Sequence, residues 1–444
     1  MEQYDVVIIG IGTAGQTAAQ ALSGAGKSVA MVDYGPVGGT CALRGCQPKK
    51  YFVVNTQLVA ETRALSRHGV AGQVHTDWPA LQAFKRDFTE PIPDSVVESF
   101  RNDGIDVFVE RAAFTGPGTL KLEPSGTVLQ ASHFVIASGA QSRPLSIPGG
   151  ELVATSDDFL ELESLPDSMI FIGGGYISLE FAFIAAIAGS RVTVLQRGPR
   201  MLPLFPASLV DPVVEAGRKL GISFVTDAEV SEIVESGKGF SVRTEGTGSY
   251  EAAWVMSAIG RVPDIEKLGL EKIGVDTESR GIVVDEYLQT SAEGVFAIGD
   301  CAATKQLAPI SDMEAQIAAA NIVSPQSRRV EREAIPSVVF THPQIASVGL
   351  TQDEAEAGTL DVVVKSGDGG RWPSSRRLGG AVVRYETIAD ATTGQLLGAH
   401  IVGPHAGEQI NLFALAIRRG LTTREFAEIP WAYPTYTSDA KYMV

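Results

Sequence analysis

Short apolar runs that stop at glycine turns and then pass into helical periodicity recur along this 444-residue chain. The clearest runs from Asp5 through Val6, Val7, Ile8 and Ile9 to Gly10, continues into a helical pattern over 16–25, and ends in a second strand over 28–33. A near copy begins at Ser168, with apolar residues 169–172, glycines 173–175, a helix over 179–188 and a strand over 191–195. Shorter strand runs lie at 134–137, 255–259 and 295–298. Strands alternating with helices predict parallel sheets covered by helices. From Ala334 the texture changes to short strands at 338–340, 362–365, 380–385 and 398–402, with helices at 351–357 and 406–419, which reads as an α+β domain. Pro144, Pro148, Gly149 and Gly150 punctuate one boundary and 260–264 another. The expected order is a first nucleotide domain (1–148), a second inserted into it (149–262), a return to the first (263–333) and a C-terminal domain (334–444).

Composition narrows what such a chain does. Lys plus Arg number 36 against 52 Asp plus Glu, a net charge of −16. Without a basic patch, that balance repels phosphate backbones and excludes nucleic acid as a partner. No apolar stretch approaches the roughly 18 residues of a membrane span, and the first residues carry no cationic segment of a signal peptide. Three cysteines, Cys41, Cys46 and Cys301, are too few for a secreted disulfide scaffold. The expectation is a soluble cytoplasmic protein with no membrane partner and no metal centre.

Gly10, Gly12 and Gly15 form a G-x-G-x-x-G turn directly after a strand and before a helix. Such a turn lets a pyrophosphate approach the backbone, and the helix N-terminus supplies N–H groups and a positive dipole end. Asp33, ending the next strand, is placed to bind a ribose hydroxyl. The second turn has Gly173 and Gly175, then Ser178 in the third position. Its following strand ends in Gln196, not an acid, with Arg197 and Arg200 behind it. A 2′-phosphate is not repelled there and guanidinium groups bind it well, so NADPH is favoured over NADH.

Residues 38–50 place Cys41 and Cys46 four residues apart, a spacing that in a reducing compartment reads as redox-active. Following a dinucleotide turn, this pair resembles the class I pyridine nucleotide–disulfide oxidoreductases, the family of glutathione reductase, dihydrolipoamide dehydrogenase and mercuric reductase. The resemblance covers essentially the whole chain. Residues 135–139 are similar to the family's strand-end A-T-G signature, 258–263 to its G-R-x-P turn, 295–300 to its second FAD motif, and 335–343 to the opening of its dimerisation domain. It implies an α/β fold of two Rossmann-like domains, binding FAD and NAD(P), plus a C-terminal α+β dimerisation domain, assembled as a homodimer. FAD is then expected at Gly10, Gly12, Gly15, Asp33, Thr40 and Asp300, with Gly39, Gly139 and Gly260 as further cofactor-binding positions. Cys46 would face the flavin as the charge-transfer thiolate, and Cys41 would be the interchange thiol. Lys50 would stand beside the flavin nitrogen that receives hydride, with Glu180 as its acid partner, and Tyr176 would gate the nicotinamide pocket. Gly173, Gly175, Arg197 and Arg200 would hold the NADPH. Cys301 reads as a small packing residue.

One segment departs from the pattern. Disulfide-reducing members end in H-P-T-x-x-E, whose His protonates the departing thiol. Here Tyr433 stands at the His position and Ser438 at the Glu position, and no histidine follows His405. Tyrosine, with an ordinary pKa near 10, is a poor base at neutral pH. Mercuric reductases also carry Tyr-Pro-Thr here, yet their C-terminal vicinal cysteines are absent. His400 and His405 read as packing or surface residues. The expected activity is transfer of electrons from NADPH through FAD and the Cys41–Cys46 disulfide to a small disulfide or related sulfur compound. Reduction of Hg(II) or Cu(II), a quinone-reducing diaphorase, and a non-catalytic redox-sensing flavoprotein are the alternatives.

Overall fold

The computed structural model describes residues 1–237 and 239–444. The chain divides into two compact units. One comprises residues 1–51, 82–143 and 260–331; the other comprises 52–81, 144–259 and 332–444.

The first unit is built on a parallel sheet in the order Asp106–Val109, Val29–Asp33, Glu2–Ile9, Val128–Ile136. Beyond it, the start of Val128–Ile136 pairs antiparallel with Thr119–Glu123, and its end pairs parallel with Val295–Ala297. Alternation within Glu2–Ile9 divides its side chains between two faces. Val6 and Ile8 pack with Ala14, Ala18, Leu22 and Ile317, whereas Val7 and Ile9 pack with Phe114, Leu120 and Leu268. Burial on both faces is why the strand reads as a continuous apolar run. Helices Thr13–Gly24 and Ala308–Val323 pack side by side on the first face.

The second unit repeats the theme with a four-stranded parallel sheet, in the order Ser223–Val225, Arg191–Leu195, Ser168–Ile172, Trp254–Ser257. Its helix Tyr176–Ala188 is apolar nearly all round and buried accordingly. A three-stranded antiparallel sheet of Glu229–Ser236, Gly239–Glu245 and Gly248–Ala252 is added to this domain. The C-terminal part is a five-stranded antiparallel sheet, Ser337–Val339, Gln344–Gly349, Leu396–Gly403, Arg384–Asp390, Val362–Asp368, covered by helix Ala406–Arg418.

One expected strand is corrected. The run at 380–385 begins as turn and irregular chain, and its strand is Arg384–Asp390. Gly379 and Gly380 both hold positive φ, which ends the short helix Pro373–Arg376 and delays the extended chain. Among the described residues no helix is long and apolar enough to cross a membrane.

Candidate active site

The first dinucleotide turn is set by sterics. Gly10 has φ +107°, and a Cβ there would lie 2.2 Å from the Ala137 carbonyl oxygen. Asp33 anchors the same turn, accepting from the Ile11 N–H at 2.7 Å and the Gly35 N–H at 3.1 Å. Two oxygens carry about four acceptor positions, so capacity is left for a ribose hydroxyl. The second turn uses the same tie with different chemistry. Gln196 Oε1 accepts from the Gly174 N–H at 2.9 Å, and its Nε2 donates to the Arg200 carbonyl at 3.3 Å.

The two arginines expected at this second turn part company. Arg200 spends its guanidinium on its own loop, donating to the carbonyls of Phe205 and Pro203. Arg197 is 80% exposed and pairs with Glu229 at 4.0 Å. A pair that long and that exposed is weak, which leaves Arg197 free to turn to a phosphate.

The cysteines are pressed against the first turn. Gly39 holds φ +73°, and a Cβ on it would lie 2.4 Å from the Gly12 Cα, so only glycine lets the two backbones meet. Cys41 lies in the short helix Gly39–Leu43, and Cys46 is the first residue of the 19-residue helix Cys46–Ala64. Both are thiols here. The hydrogen bond to Cys46 pushes the Cys41 thiol well above its ordinary range, with burial and the Cys46 charge adding to it; a hydrogen bond with Thr13 works the other way. The helix N-terminus favours negative charge on Cys46. Within the pair these influences favour the protonated form of Cys41.

Other expected residues fall around this pair. Lys50 lies one turn beyond Cys46 on the same helix, half-buried. Gly139 and Gly260 flank a two-stranded pairing of Ala140–Ser142 with Arg261–Pro263. Asp300 sits in the turn Gly299–Cys301, its carboxyl pushed up by burial and drawn back by Arg261. Cys301 is fully buried, its Sγ 3.3 Å from the carbonyls of Ile136 and Ile298, and burial raises its pKa to about 11. It is a packing thiol.

In the second unit, Tyr176 opens helix Tyr176–Ala188 and is exposed, while Glu180 is buried and accepts from the Phe340 N–H at 2.8 Å. Tyr433 is 78% exposed in the single chain. Ser438 does not substitute for an acid; its hydroxyl bonds the Thr435 carbonyl at 2.6 Å and closes the terminal turn. His400 is buried between Ser347 Oγ (2.7 Å) and the Leu350 carbonyl (3.0 Å), and burial lowers its pKa. His405 caps helix Ala406–Arg418 and packs on the Tyr436 ring, centroids 4.6 Å apart. Both histidines are committed to the C-terminal domain.

Sequence reasoning missed two groups. Tyr34, next to Asp33, lies under the Arg111 guanidinium at 4.1 Å and donates to Asp264, beside a cavity of about 580 Å³. Thr17 Oγ1 donates to Asp312 Oδ1 at 2.9 Å, close to Cys41. Spacing in the chain signals neither, because the partners are 77 to 295 residues apart. Thr13 and Thr17 at an i,i+4 spacing were the one visible hint.

The residues fit FAD. The close approach of Gly12 and Gly39 brings the turn to the start of helix Thr13–Gly24, whose first N–H groups have no intrahelical acceptor and suit a pyrophosphate, with Asp33 at the ribose end. Two dinucleotide turns and a dithiol packed on the first define a flavin- and nicotinamide-dependent oxidoreductase. Residues 4–320 match the pyridine nucleotide-disulphide oxidoreductase model and 335–444 match that family's dimerisation domain, and the chain belongs to this family. The dihydrolipoyl dehydrogenase of Chlamydia muridarum is 32% identical, over 98% of this chain and 94% of its own. The mercuric reductase of Bacillus cereus is 32% identical, over 99% of this chain and 71% of its own. The Cu(II) complex of the HOCl-induced flavoprotein disulfide reductase RclA from Escherichia coli superposes with a TM-score of 0.91 at 27% identity, over 100% of this chain and 99% of that one. The protein is thus an FAD-dependent enzyme that moves electrons between NAD(P)H and a disulfide, and it carries a dimerisation domain.

Proposed function

We propose that this enzyme is a homodimer that draws electrons from NADPH and delivers them, through Cys41 and Cys46, to a thiophilic metal ion, Cu(II) or Hg(II). When bound, FAD would supply the hydride-accepting chemistry that links NADPH to the Cys41–Cys46 pair. Gln196 and the exposed Arg197 support the choice of NADPH, since an uncharged amide and a weakly paired guanidinium both favour a 2′-phosphate. Lys50, beside the cysteine helix tip, is read as the cation that stabilises negative charge on the reduced ring.

The observation that carries the choice of acceptor is the residue itself, Tyr433, standing where a disulfide reductase holds its acid–base histidine. Reduction of an organic disulfide releases a thiolate that needs a proton delivered to it. Reduction of a metal ion releases none. Paired soft thiolates suit Cu and Hg, and the RclA structure is of a Cu(II) complex. A small disulfide, the acceptor expected from the sequence, is the second reading, favoured by the protonated Cys41 thiol that would donate to a departing sulfur.

A steady-state panel of Cu(II), Hg(II), oxidised glutathione, lipoamide and quinones decides between them. The metals should support NADPH oxidation at kcat/KM at least ten times that of either disulfide, and the reverse order refutes the metal reading. An anaerobic NADPH titration should raise a long-wavelength thiolate–flavin band. Undiminished turnover in Cys41→Ser would refute the dithiol route and indicate a diaphorase.

A further inference from the structure

A buried backbone N–H must find an acceptor, and the acceptor it finds fixes how its turn faces the neighbours. The turn Gly299–Cys301, which carries Asp300, is fastened at every residue. Gly299 holds φ +69°, a conformation suited to glycine. A Cβ there would lie 3.1 Å from Ser311 Oγ and 3.3 Å from the Ala14 Cβ, so the turn is pressed between helices Ala308–Val323 and Thr13–Gly24. The Gly299 N–H donates to Glu314 Oε2 at 2.8 Å, and the Glu314 side chain is wholly buried. Gln306 Nε2 donates to the Asp300 carbonyl at 3.1 Å. The Cys301 Sγ rests between the carbonyls of Ile136 and Ile298. The Asp300 carboxylate stands apart from this fastening, since among the described residues nothing hydrogen-bonds it. Its backbone is held on each side while its acid group is left to a ligand.

We propose that Glu314 aims Asp300 at the flavin nucleotide. By holding the Gly299 N–H, Glu314 fixes the peptide that leads into the turn, and with it the direction in which the Asp300 carboxylate leaves the chain toward a hydroxyl of FAD. This rests on Asp300 as an FAD contact, the reading drawn from the family resemblance. Glu314 acts through the turn and is a positioning residue. A carboxylate is a costly group to bury, and an apolar side chain would fill the same space more cheaply. What an apolar side chain lacks is an acceptor for Gly299. The contact with Ala14 gives the turn its place in the cofactor site, because Ala14 lies within the first dinucleotide turn, between Gly12 and Gly15. A change of direction at Gly299 is therefore felt beside the residues that receive the pyrophosphate.

The experiment is a double-mutant cycle on FAD affinity, with the Kd of the holoenzyme read from flavin fluorescence on serial dilution. The chains compared are wild type, Glu314→Leu, Asp300→Ala and the double variant. A hydrogen bond to a charged group is worth about 20-fold in an equilibrium constant, so each single variant should bind FAD about 20-fold more weakly. The double variant should stay within about threefold of Asp300→Ala, because Glu314 has nothing left to aim. Glu314→Gln keeps an acceptor for Gly299 and should lose about fivefold at most. If Tm shows Glu314→Leu to be misfolded, Glu314→Asp takes its place in the cycle, since its shorter side chain keeps the charge but withdraws the acceptor. Unchanged FAD affinity on loss of Glu314 would overturn the proposal. So would losses that multiply to about 400-fold in the double variant, the mark of two independent sites, or a Glu314→Gln as weak as Glu314→Leu. Undiminished affinity in Asp300→Ala would instead sink the reading of Asp300 as an FAD contact, so the two failures are distinguishable.

Discussion

Replacing Gln196 with Glu changes one heavy atom at the nucleotide turn of the second unit. Oε1 keeps its place as acceptor of the Gly174 N–H, now as a charge-assisted bond. The long 3.3 Å donation from Nε2 to the Arg200 carbonyl is lost, and an oxygen faces that carbonyl instead. The turn should therefore hold, with a small shift in the loop behind it. The ligand is affected far more. A unit charge about 6 Å from a phosphate charge is worth about 0.7 kcal/mol in bulk water and about 3 kcal/mol at the effective dielectric near a protein surface. A half-buried site lies between, so about 1.5–3 kcal/mol of repulsion is expected, or about 10- to 150-fold. NADH presents a hydroxyl that the carboxylate can accept, a gain of about 1 kcal/mol. The ratio of kcat/KM for NADPH to that for NADH should fall about 100-fold, carried by the KM of NADPH, and part of the loss should return at high salt. An unmoved ratio, or an equal loss with both nucleotides, would refute the assignment of Gln196 as the residue that admits the 2′-phosphate.

Other expectations follow from the same geometry. Gly39→Ala places a Cβ 2.4 Å from the Gly12 Cα at a positive φ, so the first turn must open; purified variant should hold less than a tenth of the wild-type FAD per chain, measured by flavin absorbance. Iodoacetamide applied to native reduced enzyme at pH 8 should label Cys41 and Cys46 but not Cys301, whose buried thiol has its pKa raised to about 11; mass spectrometry finding native Cys301 labelled would contradict its sealed position. Burial lowers the folded-state pKa of His342 and His400 below the ordinary 6.5. Below about pH 6.5 the unfolded chain then binds protons that the folded one refuses, so stability must fall with pH. Tm should drop by several degrees from pH 7 to 5.5, with a shallower slope in His400→Gln.

What the sequence made legible was what is local. Gly10, Gly12, Gly15 and Asp33 lie within 24 residues, and the structure ties them through one hydrogen bond from Ile11. The buried strands announced themselves as apolar runs because both of their faces are covered. The strand Arg384–Asp390 was placed too early, since Gly379 and Gly380 serve a turn that periodicity does not mark. Arg197 and Arg200 look alike in the chain, yet one guanidinium is tied to the carbonyls of its own loop and the other stands in solvent. The bond from Thr17 to Asp312 was invisible for a different reason. It depends on how two helices nearly 300 residues apart in sequence set their registers, and no local pattern encodes that.

The sealed position of Cys301 bears on how the protein ages under oxidants. A chain with three reactive thiols has three ways to pair them, two of them wrong, and each wrong pairing traps the active dithiol. Here the third sulfur is wedged between the carbonyls that end two neighbouring strands, so it can neither attack nor be attacked without opening the sheet. Within one chain, oxidation of Cys41 and Cys46 has a single intramolecular product, their disulfide. In the catalytic cycle proposed above, damage of that kind would be erased by the next reduction.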